Sequence, residues 1–206
     1  MITLLFKPIR RAAVLLGIVL FLPFAAGATD LLQPLGRADR PVGSATAPVT
    51  VIEYSSPTCS HCATYRNETA PKIAEEFVES GQIRILFRPL VRNNVDLVIF
   101  MLAETQPQPK PVLDRFYARQ DDISNSSNLE QTLREIAASV GIDRDAFNAA
   151  VANQSILNNL KTLTDQAQND FKVEGTPTFF INGKKITGAP SLEAMRREIA
   201  AALERK

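Results

Sequence analysis

Cys59-Ser60-His61-Cys62 gathers both cysteines of the chain and its only histidine into four consecutive residues, directly after the apolar run 49–54. Two thiols separated by two residues can close a small disulfide and reopen it. If they open a helix, the first sulfur meets unpaired backbone N–H groups and the positive end of the helix dipole, both of which favour the thiolate. The thiolate is the species that attacks a disulfide. The motif alone leaves three uses open, because a C-x-x-C pair is also half of a zinc site and exported thiols can simply staple a fold. A bridge closing so short a loop removes little entropy from the unfolded chain, which argues against stapling. With one histidine, zinc held by several imidazoles is excluded, and a site of Cys59, Cys62 and His61 would need strained local geometry and a fourth ligand. Redox exchange is the use these residues favour.

The elements that must position the pair follow from periodicity. The run 49–54 is rich in β-branched residues and reads as a buried strand, with Ser55, Ser56, Pro57 and Thr58 turning into a helix. That helix is predicted over 59–80 with Ala74, Phe77 and Val78 inside. Pro71 lacks an amide donor and must bend or interrupt it, and Gly81 closes it. Residues 82–87 read as a second strand, Ile83, Ile85 and Phe87 alternating with Arg84 and Leu86, which gives a parallel β-α-β unit.

A helical stretch follows. Residues 95–103 are apolar nearly all round and predicted buried, and a separate helix is expected over 112–119 after Pro107, Pro109 and Pro111. Leu129, Leu133, Ile136, Ala137 and Val140 repeat at helical spacing up to Gly141. Asp143 then caps a helix carrying Phe147 and Val151, and Ser155 one carrying Ile156, Leu160, Leu163, Ala167 and Phe171. Residues 178–181 and 185–187 are short extended runs joined through Asn182-Gly183, a dipeptide suited to a type I′ hairpin turn. Ser191 caps a closing helix with Leu192, Met195, Ile199 and Leu203 inside. These apolar stripes are core and imply no cofactor.

Composition sets the compartment and the class. The chain has 206 residues, 45% of them hydrophobic and 22% charged, enough for one sizeable core. Lys7, Arg10 and Arg11 precede an uncharged run at 12–28 that ends in Ala26-Gly27-Ala28, so residues 1–28 read as an export signal; an uncleaved membrane anchor is the alternative. Without those residues 20 basic and 22 acidic side chains remain, a formal charge of −2, and nothing calls for nucleic acid. Residues 29–47, with Pro34, Gly36, Pro41 and Gly43, read as a leader segment with little regular structure.

The order of strand, helix, strand, helical block, hairpin and helix carries C-S-H-C after its first strand. Gly175-Thr176-Pro177-Thr178-Phe179-Phe180-Ile181-Asn182-Gly183 stands before its last helix. In this the chain resembles the thioredoxin superfamily, and more narrowly the secreted bacterial DsbA-like thiol:disulfide oxidoreductases. The resemblance covers about residues 43–206. It implies an α/β thioredoxin-like fold, a central mixed sheet flanked by helices, over 48–206, interrupted by an inserted α-helical domain at about 93–172. It makes Cys59 the exposed nucleophile and Cys62 the more buried resolving thiol. It makes Thr176-Pro177 a loop with a cis peptide bond against the sulfurs, offering the Thr176 backbone to an extended substrate.

His61 beside Cys59 would stabilise its thiolate and make the disulfide a stronger oxidant. Glu53, six residues before Cys59 in an apolar strand, needs work or partners if buried. The resemblance supplies a buried acid beneath Cys62, exchanging protons with it; the alternative is a surface glutamate paired with Arg84 or Arg88. The implied protein is a monomeric periplasmic oxidant of unfolded or partly folded secreted proteins that carry thiols. Its only redox group is the Cys59-Cys62 disulfide, with no metal or other cofactor, and a membrane partner reoxidises it. Its rivals are a disulfide isomerase or reductase of the same fold, an exported Cu(I) metallochaperone binding through the two thiolates, and a chaperone with idle cysteines.

Overall fold

Every residue of β2 (Val49–Ser55) is buried, as expected of a strand at the centre of a sheet covered on both faces. It lies between β3 (Ile83–Pro89), to which it is parallel, and β4 (Thr178–Ile181), to which it is antiparallel. The computed structural model describes residues 30–205, so the expected export signal at 1–28 lies outside the described residues. The sheet has the order β1-β3-β2-β4-β5, with β1 (Pro41–Val42) antiparallel to β3 at one edge and β5 (Lys184–Thr187) antiparallel to β4 at the other.

Successive side chains of β2 divide between two layers. Val49 and Val51 pack with Ile83, Phe179 and Ile181 under the helix that follows the motif and under α9 (Leu192–Glu204), which supplies Met195 and Ile199. Ile52 and Tyr54 point the other way, onto Leu86, Ala167, Val173 and Phe180. Between β3 and β4 the chain makes six helices: α3 (Asn94–Glu104), α4 (Pro109–Ala118), α5 (Gln120–Ser124), α6 (Leu129–Ala138), α7 (Arg144–Val151) and α8 (Gln154–Asn169). Numbering the helices in chain order, α1 (Ser60–Thr64) and α2 (Ala70–Ile73) belong to the segment after the motif. The architecture is the α/β thioredoxin-like arrangement, with the helical block between its two halves.

Helix geometry departs from the expectation at Pro71. The segment stays helical from Ser60 to Val78, but the ladder widens into π turns at Tyr65–Thr69 and Ala74–Val78. Ala70 N–H donates to the Tyr65 carbonyl, five residues back. A proline without an N–H breaks the regular ladder, and a π turn beside it pairs the neighbouring groups again without stopping the helix.

Other boundaries differ for local reasons. Residues 29–47 are expected to have little regular structure, and in the described part of them the one strand is Pro41–Val42, paired with Leu86 and Ile85. Two residues carry no periodicity, and proline is tolerated there because the strand is at an edge. In β3 the simple alternation fails, since Ile83, Leu86 and Arg88 are buried while Ile85 and Phe87 are only partly so. The helix expected from 112 starts at Pro109, where proline at the first turn loses no hydrogen bond, and a further short helix, α5, follows it. Asn153, not Ser155, caps α8 by accepting from Ile156 N–H. The Asn182-Gly183 turn has both φ angles positive, 44° and 86°, as type I′ requires. Asp143 and Ser191 cap α7 and α9 as their positions predicted.

The segment before β2 is fastened from below. Arg88 is fully buried and forms two bonds to Asp39, Nε to Oδ1 at 3.0 Å and Nη2 to Oδ2 at 2.6 Å, while Nη1 donates to the Tyr54 hydroxyl at 2.8 Å. Removing one partner of such a pair leaves a charge buried and unmatched. Asp39→Ala is therefore expected to destabilise the protein by about 3–5 kcal/mol in denaturant unfolding. Adding Arg88→Met should recover part of that loss.

Candidate active site

The loop Ser55–Thr58 carries the motif from sheet to helix, and side chains of the helical block hold it from below. Asp96, fully buried in the first turn of α3, accepts from Ser56 Oγ at 2.8 Å, from Thr58 N–H at 3.0 Å and from Arg92 N–H at 3.1 Å. Asn93 caps α3 through Asp96 N–H and donates its amide to Thr58 Oγ1 at 2.8 Å. Gln120 donates to the Pro57 carbonyl at 2.6 Å, and the Tyr117 hydroxyl pairs with Ser55 Oγ at 2.8 Å. This stretch of irregular backbone is thus paired before it reaches Cys59.

Cys59 is the N-cap of α1, in extended conformation, with its carbonyl accepting from Ala63 N–H at 3.0 Å. Cys59, expected to be exposed, is itself buried at 7% exposure, and Cys62 is fully buried one turn later. Both sulfurs are free thiols, the reduced state of the pair. The Cys59 thiol donates to the Thr176 carbonyl at 3.2 Å, and the Thr176-Pro177 bond is cis, so the proline loop lies directly against the first sulfur.

The two acidities separate strongly. A hydrogen bond from the Cys62 thiol is the largest influence on Cys59; with the Thr176 side chain, the Cys62 backbone N–H and the Arg92 charge it outweighs burial and brings Cys59 down to about 5. Burial pushes Cys62 far up, and its hydrogen bond to Cys59 pushes the same way. One proton leaves readily and the other is retained. The first turn offers its N–H groups to the sulfur that ionises.

Of the other residues singled out in the sequence, His61 lies exposed in the first turn of α1. Glu53 is 2% exposed, which removes the surface alternative: Arg84 bonds to Thr50 and Ala45, and Arg88 to Asp39. Its neighbour is Arg66, with Nη1 3.8 Å from Oε2, while Oε1 has no hydrogen-bond partner among the described residues. Burial raises the Glu53 carboxyl, opposed by Arg66 and the Ser55 hydroxyl. That same hydroxyl lowers Cys62 against its burial, so Ser55 bears on both acid and thiol. Glu53, Arg66, Phe87 and Leu113 line a cavity of about 880 Å³.

Met101 and Met195 are buried in separate clusters. Among the described residues no three or more His, Cys, Asp or Glu side chains are grouped to hold a metal, and no helix is long and apolar enough to cross a membrane.

Sequence reasoning missed Asp96, Asn93, Gln120, Tyr117, Arg92 and Arg66. A signal existed for the first two. Asn93-x-x-Asp96 has the spacing of a capping box, and an aspartate inside an otherwise apolar helix needs buried donors. Gln120 and Tyr117 reach the loop only through tertiary packing.

The chain is similar to proteins of known family and fold. A family model described as thioredoxin matches residues 37–201. A Rickettsia felis protein named as a protein-disulfide oxidoreductase is 27% identical over 169 residues, 81% of this chain and 60% of that protein. The chain thus spans less than two thirds of that relative's length. The structure of Wolbachia pipientis alpha-DsbA1 superposes with a TM-score of 0.74 at 26% identity, covering 81% of this chain and 92% of that one. BdbD from Bacillus subtilis, at 20% identity and a TM-score of 0.71 over 84% of this chain and 96% of its own, shares the fold.

Two measurements check the site. Thiolate absorbance of the reduced protein should titrate with a midpoint near 5, and Cys62→Ser should move it, because the largest influence on Cys59 is the Cys62 thiol. A Cys59 pKa depressed in the fold stabilises the reduced protein fully above the unfolded value of about 8.5 and loses that contribution as pH falls through 5. Between those limits Cys62 is neutral folded and unfolded, so the stability of reduced over oxidised protein should rise with pH from about 5 to about 8.

Asp96→Asn keeps one carbonyl oxygen for three donors. It should destabilise the fold by about 2–3 kcal/mol in denaturant unfolding. The Cys59 titration should broaden or shift as the loop loosens.

Proposed function

The chain belongs to the thioredoxin family, and from this we propose that it is an exported DsbA-like thiol:disulfide oxidoreductase that introduces disulfides into secreted proteins. What carries the reading is the divided acidity of the pair, Cys59 at about 5 beside a Cys62 pushed far up, with Cys59 against the Thr176 carbonyl.

The exchange follows from those atoms. A substrate thiolate attacks Cys59 Sγ of the oxidised pair; the Cys59–Cys62 bond breaks, and the Cys62 sulfur leaves with the electron pair and takes a proton. A second substrate thiolate attacks the substrate sulfur of the mixed disulfide, and Cys59 leaves as a thiolate. The substrate ends with a disulfide and the pair ends reduced by two electrons. A sulfur ionised near pH 5 is a fast leaving group in the second step. In the first, Cys62 needs a proton on departure, and Glu53 supplies it past Ser55.

His61 adds its imidazole from the exposed first turn, and Thr176 offers its backbone to the substrate while Pro177 brings no N–H to the sulfurs. A quinone-linked membrane partner returns the pair to the disulfide. Residues 1–28 direct export to the periplasm, where the substrates are unfolded or partly folded proteins with free thiols and the enzyme acts as a monomer.

Equilibration with glutathione buffers tests this. A potential of about −120 to −180 mV is expected; one near about −270 mV would make the protein a reductant and overturn the proposal. Cys59→Ser should abolish exchange, and Cys62→Ser should accumulate the mixed disulfide. Rescue of scrambled disulfides by a stable dimer would assign the protein to the isomerases instead.

A further inference from the structure

Arg92 is exposed at the mouth of the site and stands between the proline loop and the first turn of α3. Its Nη1 reaches Thr176 Oγ1 at 3.5 Å, on the residue whose carbonyl accepts from Cys59 Sγ at 3.2 Å. Its backbone is fixed, because the N–H donates to the buried Asp96 carboxylate at 3.1 Å. The other arginines near the site are committed to carboxylates: Arg66 to Asp114 and Glu53, Arg88 to Asp39, Arg119 to Asp122. Arg92 takes part in none of the ion pairs formed among the described residues. Here a fixed backbone carries a guanidinium that one long hydrogen bond to a hydroxyl leaves free to accept an anion.

We propose that Arg92 is a specificity-determining residue that selects substrate segments with an aspartate or glutamate one or two positions from the reacting cysteine. This rests on the thiol-exchange reading above and names the substrate class for the same site. An extended segment laid along the Thr176 backbone, with its sulfur at Cys59, advances about 3.3 Å per residue. One or two residues from its cysteine therefore bring a side chain level with Thr176 Oγ1, where the guanidinium waits. A carboxylate there forms a two-pronged bond with Arg92, whereas a lysine meets a like charge. Arg92 also lowers Cys59 by its charge, so its removal alters the overall rate as well; the selectivity is read from a ratio that this leaves unchanged.

The test uses dithiol peptides that differ only in carrying Asp, Ser or Lys beside the reactive cysteine, on either side, oxidised by the full chain. For the unaltered protein kcat/KM should favour Asp over Lys about two- to fivefold, as expected for an exposed ion pair, and the preference should shrink with added salt. Arg92→Lys should retain the order, Arg92→Gln should flatten it to near unity, and Arg92→Glu should invert it. Each ratio is taken within one variant, so loss of folded enzyme cancels. An Asp/Lys ratio unchanged in both Arg92→Gln and Arg92→Glu overturns the proposal, as does a ratio near unity in the unaltered protein. Absence of peptide oxidation by the unaltered protein defeats the exchange reading itself.

Discussion

The unequal acidity forced on two neighbouring buried thiols sets the terms for everything else in this site. Two sulfurs one helical turn apart cannot both ionise in a buried setting, so the first proton lost changes what the second can do. The setting of the pair assigns that loss to Cys59, which lies at the helix start and against a carbonyl. It assigns retention to Cys62, which has no exposed surface. An exposed pair would not divide its acidities in this way, because water would solvate either thiolate. The depth of the pair, at the junction of sheet and helical block, is therefore part of the chemistry.

Holding that depth takes both halves of the molecule. Strand β2 is fixed by β3 and β4, but it ends at Ser55, and the next three residues have no ladder to join. The helical block supplies the missing partners through Asp96, Asn93, Gln120 and Tyr117. Cys59, Cys62 and Ala63 pack into that block's core, while Tyr65 and Ile73, farther along the same helix, pack against the sheet. The helix after the motif thus joins the two cores. A displacement of the block relative to the sheet would reach the sulfurs through it.

How far the sequence discloses this depends on whether a feature is local. The strand before the motif, the Asn182-Gly183 hairpin and the caps at Asp143 and Ser191 are written in adjacent residues, and they can be read there. Pro71 announces a disturbance but not its form, because a kink, a break and a π turn all answer the same missing N–H. The pairing of Pro41-Val42 with β3 is invisible, since two residues have no period. Asp96 was partly legible: its spacing from Asn93 marks a helix start, but the Ser56 and Thr58 donors lie some 40 residues earlier. The proximity of Cys59 to Thr176, 117 residues apart, entered only through the resemblance, and no spacing rule contains it.

Glu53 shows why such a site is costly to keep. It shares a face of β2 with Val49 and Val51, where a third aliphatic side chain would bury without penalty. The carboxyl instead has one oxygen 3.8 Å from Arg66 and the other without a partner, and an unmatched buried acceptor costs about 1–3 kcal/mol. Arg66 is only partly its counter-ion, being held more closely by Asp114 at 2.8 Å and lying over the Phe87 ring, 5.3 Å from its centre. A partner so divided leaves the acid poorly stabilised as an anion, in agreement with its raised pKa. For the fold alone this is a poor arrangement. Burial without full pairing favours the protonated form of the carboxyl, and the Ser55 hydroxyl that opposes this bears on Cys62 as well.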